Sequence, residues 1–202
     1  MNAQVGQQYG LTIQPLILAV KHDNFDLVEA LVLAPGCDID VLDPATQRSA
    51  LSFAVEKNNS AVIDLLLKKM CNVNVGEKPP LVVAIDSSNL AVVRKLLNLP
   101  HAQCQVNLQK VHEAAFNSKN VHIVKLLLES GLDVNVFSTD GKAAVHRIAT
   151  LNDESCEDLM NVLIESEGPF QIDERTCGLT DTDQRETALH IASKNGNRSL
   201  VK

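Results

Sequence analysis

The feature that most constrains this chain is a repeat. The tripeptides Asp38-Ile39-Asp40, Asn72-Val73-Asn74, Gln105-Val106-Asn107, Asp133-Val134-Asn135 and Gln171-Ile172-Asp173 each place a β-branched residue before Asp or Asn, at successive spacings of 34, 33, 28 and 38 residues. An apolar pair precedes each of them in register: Leu31-Val32, Leu66-Leu67, Leu96-Leu97, Leu127-Leu128 and Leu163-Ile164. Two markers recurring together with a period of this size imply one supersecondary unit stacked on copies of itself. Within the first copy, Leu16, Ala19 and Val20, then Leu27, Val28, Leu31 and Val32, recur at helical spacing. That puts an apolar stripe on each of two short helices. Neither helix buries its stripe alone, so neighbouring copies must cover one another, with small Ala19, Ala54, Ala84 and Ala114 expected where helices meet most closely. Aromatic residues are only 3% of the chain and Trp is absent, which suits thin layers of aliphatic side chains. Gly36 and Gly131 are expected to close second helices in the left-handed conformation.

The first helices carry a second motif. Thr187-Ala188-Leu189-His190-Ile191-Ala192, followed by Asn195-Gly196-Asn197, and Val111-His112-Glu113-Ala114-Ala115 resemble the T-P-L-H-x-A signature of ankyrin repeats. Gln14-Pro15-Leu16, Pro79-Pro80-Leu81 and Ala144-Val145-His146 are weaker copies, as is Ser49-Ala50-Leu51. The resemblance covers residues 14–202 and implies an all-α fold, an ankyrin-repeat solenoid of stacked helix-turn-helix units with β-hairpin or turn fingers. The expected repeats are 14–43, 44–75, 76–107, 108–135, 136–173 and a truncated sixth, 174–202, with 1–13 as an N-terminal lead or cap. The truncation leads us to expect the N-terminal part of a longer protein. Departures are expected at a stunted finger of Gly76, Glu77 and Lys78, at one extra residue between the helices of the fourth copy, and at the long stretches 150–158 and 176–186.

Catalytic motifs are missing. His112-Glu113 opens like the zinc motif H-E-x-x-H, but Phe116 stands where the second histidine belongs. No phosphate-binding loop, dinucleotide fingerprint or nucleophile elbow occurs. We therefore expect no enzyme, cofactor or metal. His112, His146 and His190 read as equivalent residues whose imidazoles bond one repeat's turn to its neighbour. Five cysteines form no C-x-x-C pair, so a reducing intracellular location, cytoplasmic or nuclear, is expected. Cys37, Cys71 and Cys104 read as small buried thiols, and Cys156 and Cys177 as exposed ones in irregular loops. A net charge of −7 disfavours nucleic acid, and no segment reads as a membrane span.

A stacked repeat without catalytic groups implies a protein-binding scaffold. By the resemblance, partners touch the fingers and the exposed ends of the first helices: Lys21, His22, Arg48, Glu56, Lys57, Asp86, Ser87, Phe116, Asn117, Thr150 and Leu151. Phe116 is expected there as an exposed aromatic anchor on a concave surface. The family also implies that Asn74, Asn107 and Asn135 fix turns through their side chains and are candidates for hydroxylation by a dioxygenase. Residues 150–186 hold eleven acids against two arginines, a net charge of −9. Asp153, Glu154, Glu157 and Asp158 within it are either a solubilising face or a docking face for a partner's basic segment. The alternative is a regulatory or substrate-recruiting arm of a larger enzyme, ligase or channel.

Overall fold

The computed structural model describes residues 14–99, 108–138, 140–151, 153, 155–166, 176 and 186–197. The lead 1–13, the tripeptides at 105–107 and 171–173, Cys104, Cys177 and most of 176–186 lie outside the described residues. Helices α1 (Pro15–Lys21), α2 (Phe25–Leu33), α3 (Ala50–Glu56), α4 (Ser60–Lys68) and α5 (Pro80–Asp86) are followed by α6 (Leu90–Leu97), α7 (Leu108–Asn117), α8 (Val121–Glu129), α9 (Ala144–Thr150), α10 (Ser155–Glu165) and α11 (Ala188–Lys194). They fall into two compact units, the first holding α1 to α5 and the second α6 to α11.

Each unit is built from helix pairs in two rows. In the first unit α1 packs on α2 and α3 on α4, while α1, α3 and α5 form one row and α2 and α4 the other. In the second unit α7, α9 and α11 form the first-helix row and α6, α8 and α10 the second. The rows differ in chemistry because they differ in coverage. All six residues from Ala50 to Val55 in α3 are buried, five of them apolar, and the sixth, Ser52, donates its hydroxyl to the Lys78 carbonyl at 2.9 Å. In α4 only Val62, Ile63 and Leu66 are buried, the single stripe of a helix with one wet face.

Strand structure is vestigial. Among the described residues the fingers contain the bridge Leu42 to Ser49, closed by a hydrogen bond from the Asp43 amide to the Arg48 carbonyl at 2.9 Å, and a further bridge residue at Thr187. The finger leading to α5 is stunted as expected: Gly76 turns with φ +93°, and the Glu77 amide donates back to the Gln47 carbonyl at 2.8 Å. A Cβ at Gly76 would lie 2.6 Å from that carbonyl oxygen, so the close approach requires glycine. Gly36 and Gly131 take left-handed angles after α2 and α8.

In the three described tripeptides the first residue fixes the turn with its side chain. Asp38, Asn72 and Asp133 accept from the amides of Asp40, Asn74 and Asn135 at 3.0, 2.9 and 2.9 Å. The third residue of the first tripeptide, Asp40, accepts from the Asn72 amide of the next copy at 2.7 Å, joining consecutive turns. The turn role expected for Asn74 and Asn135 is therefore shared with the first residue of the tripeptide; Asn107 lies outside the described residues.

The fourth copy is out of register with its signature. Its helices are joined by residues 118–120, the same length as 22–24, 57–59 and 87–89, so no extra residue lies there. Counted back from that loop, Ala115 rather than Ala114 aligns with Ala19, Ala54 and Ala84, and His112 falls at the place of Leu16, Leu51 and Leu81. Phe116 then joins the line of Val20, Val55 and Ile85, all of them no more than 1% exposed. Phe116 is a core residue, and its expected role as an exposed anchor is withdrawn. The histidines are corrected with it, since His112 is not equivalent to His146 and His190. His146 Nδ1 accepts from the Ala143 amide at 3.2 Å and His190 Nδ1 lies 2.7 Å from the Thr187 hydroxyl, so these bonds cap their own helices. Cys156 is likewise buried rather than exposed, within α10, where it accepts from Asn197 at 3.0 Å, while Cys37 and Cys71 are half-buried.

Candidate binding surface

Apart from half-buried Arg48, which lies in the finger before α3, and buried Phe116, the contact residues expected at helix ends fall at one structural place, the last turn of each first helix and the loop after it. Lys21 is half-buried and His22, Glu56, Lys57, Asp86, Ser87, Asn117 and Thr150 are exposed; Leu151 is half-buried. With the fourth copy in its proper register, Ser118 takes the place assigned to Asn117, and Asn117 that assigned to Phe116.

A recurrent dipeptide shapes these loops and escaped the sequence reading. Asn24, Asn59, Asn89 and Asn120 each accept from a first-turn amide of the following helix, at 3.1, 3.2, 3.2 and 3.1 Å. Each follows a residue with left-handed backbone: Asp23 (φ 55°), Asn58 (54°), Ser88 (53°) and Lys119 (54°). Only the last loop has glycine there, Gly196 before Asn197. Side chains at such angles carry a backbone penalty, and two of them are tied down across neighbouring loops. Asp23 pairs with Lys57 at 2.7 Å, and Lys119 pairs with Asp153. The Lys57 ammonium, followed by the Asn59 amide, holds Asp23 below the ordinary carboxylate range; Lys119 and then Ser155 do the same for Asp153.

Around Phe53 the first unit gathers several expected residues. The Lys21 ammonium and the Arg48 guanidinium lie 4.4 and 4.5 Å from the ring centroid. Lys21 also pairs with Asp43 at 3.2 Å, and Arg48 with Glu56 at 3.1 Å. Hydrogen bonds from Thr46 and from Lys21 keep Asp43 low. Lys78 meets Asp86 at 2.6 Å.

In the second unit the same slot holds Arg147, four residues after its helix cap as Phe53 is after Ser49. Its side chain is only 9% exposed and fully engaged. Nη1 donates to Asn117 Oδ1 at 2.9 Å, Nη2 to Asp140 Oδ1 at 2.8 Å and to Ser138 Oγ at 2.9 Å, and Glu113 stands 3.5 Å away. Burial works to raise Asp140, but the Ser138 hydroxyl and Arg147 outweigh it and hold the carboxyl low. The sequence reading missed Arg147, since an arginine between His146 and Ile148 carries no mark of burial.

Part of the acidic stretch, Ser155–Glu165, is helical. Glu157 and Asp158 sit in the first turn of α10, where carboxylates favour the helix dipole, and Asp153 is paired as described. These acids therefore gain more from their neighbours than isolated like charges would. Glu154 lies outside the described residues. An open groove of about 490 Å³ runs between Ser88, Ser118 to His122 and Asp158. Among the described residues no group of three or more His, Cys, Asp or Glu is placed to hold a metal ion, and no helix is long and apolar enough to cross a membrane.

The sequence profile described as ankyrin repeats (three copies) matches residues 16–110 and 111–202. Inversin of Canis lupus familiaris is 28% identical over 202 residues, covering 96% of this chain and 18% of that protein, and human inversin is 28% identical with the same coverage. The ankyrin repeat and KH domain-containing protein mask-1 of Caenorhabditis elegans is 26% identical over 67% of this chain and 5% of its own length. The chain thus spans about a fifth or less of these relatives. Among solved structures, the ankyrin repeat protein EF0377 superposes with a TM-score of 0.74 at 18% identity, covering 91% of this chain and 92% of that one. The ankyrin repeat domain of human ASB11 gives 0.66 at 18% identity, with 93% and 82% covered.

Proposed function

The chain belongs to the ankyrin-repeat family, and from that premise we propose that it is a non-catalytic scaffold that binds a partner protein through the exposed loop ends of its first helices. Ankyrin repeats are protein-interaction modules and generally not catalysts. The observation that carries the reading is the common placement of His22, Lys57, Ser87 and Ser118, one position in successive repeats, on a backbone fixed by asparagine caps. Within each unit, side chains that differ from repeat to repeat on a fixed loop backbone suit selective recognition with little ordering cost. In the second unit Asp153, Glu157 and Asp158 are exposed, Asp153 and Asp158 next to the loop of Ser118 and Lys119, and they favour a partner with a basic segment.

The test is capture with three forms of the chain. Parent protein and a form changed on second helices, Asp64→Ser with Lys125→Ser, are expected to retain the same partner. A form with His22→Ala, Lys57→Ala and Ser118→Tyr is expected to lose it. Loss with the second-helix form and retention with the loop form would reverse the assignment. The relatives' greater length favours a second reading, a recruiting arm of a larger protein. It predicts the same surface residues and differs in what is joined to them.

A further inference from the structure

His112 is the anomaly of the second unit. Its ring is 0% exposed, and neither Nδ1 nor Nε2 has a hydrogen-bond partner. It stands at a signature position that Leu16, Leu51 and Leu81 fill elsewhere, with the Phe116 ring 4.8 Å away. A buried imidazole without partners is held neutral only as long as the helix pair stays closed.

We infer that His112 is an acid-sensitive latch: uptake of a proton by this ring opens the fourth repeat, α7 with α8, as a local unit. The groups facing the ring decide the balance. Burial opposes the proton most strongly; the Val134 carbonyl favours it without forming a hydrogen bond to either nitrogen. From α9, Arg147 opposes it, and from the segment before α9, Asp133 and Asp140 favour it. On α8, His122, Lys125 and Glu129 are exposed, and on α7 Glu113 is directed to Arg147. Burial prevails and takes the imidazole from its ordinary 6.5 to about 4.

The sign follows from linkage. The opened repeat binds the proton below 6.5 and the closed one only near 4, so closure is fully favoured above 6.5 and weakens as pH falls between these values. For the whole chain, the opening constant of α7 amides, from hydrogen exchange corrected for intrinsic rates, is expected to rise about 20-fold from about pH 7 to about pH 5. In His112→Leu, which restores the leucine of other repeats, and in His112→Gln, which is neutral throughout, the rise is expected to vanish. Amides of α3 in the other unit serve as reference. An equal rise in parent and both variants would overturn the inference. So would a native-state titration of the His112 ring near 6.5, because a ring that charges freely in the closed repeat cannot drive its opening.

Discussion

Phe53 and Arg147 occupy the same slot in two repeats, yet one is an aromatic ring beside two cations and the other a cation within a polar cage. Around Phe53 each ion pair has one end in water: Glu56 and Lys21 are 54% and 36% exposed, while their partners Arg48 and Asp43 are each 14% exposed. Around Arg147 the cation itself is inside, and it donates to an oxygen of Ser138, Asn117 and Asp140. The backbone slot sets where a side chain goes, and its neighbours set which chemistry can fill it. A repeat consensus therefore predicts shape better than it predicts stability.

The comparison breaks most sharply if the residues are exchanged. Phe53→Arg would place a third cation beside Lys21 and Arg48 and remove the ring they cover; a loss above about 4 kcal/mol is expected in urea unfolding. Arg147→Ala is expected to cost less, about 2–3 kcal/mol, because Glu113 and Asp140 keep partial access to water and can be resolvated. A larger loss for Arg147→Ala than for Phe53→Arg would invert the contrast. Acid loosens the Arg147 cage as well. Asp140 is held below 3.8 when folded, so its contribution is complete above that value and fades as pH falls through the lowered one. Arg147→Ala should flatten this acid limb.

The outline of the fold was legible because its signals are redundant. Tripeptides, leucine pairs and closing glycines agree on the helix pairs, so weak first-helix motifs did no harm. The fourth repeat shows where reading fails: His112-Glu113-Ala114 imitates the signature one residue early, and only the following loop length reveals the true register. That slip exposed Phe116 on paper and concealed the burial of His112. The helix-end positions proposed for binding were legible to within a residue, since they depend on helix ends alone. The cage around Arg147 was not, because its members Asn117, Ser138 and Asp140 come from separate segments and share no local pattern.

Smaller effects sharpen the same contrast at the loops. Ser88→Gly should raise stability by about 0.5–1 kcal/mol, because its left-handed backbone suits glycine and its side chain is exposed. The same change at Lys119 should gain less, since it also deletes the pair with Asp153. Glu56→Gln at the open rim should cost no more than about 0.5 kcal/mol. A cost near that of Arg147→Ala would mean that the two slots are equally closed.

The central claim, recognition through the loop ends of first helices, is tested most directly by hydrogen exchange on the chain with and without its captured partner. Residues 21–23, 56–58, 86–88 and 117–119 are expected to gain protection together, with the exposed faces of α4 and α8 unchanged. Protection confined to α4 and α8, with those loops exchanging as in the free protein, would contradict it.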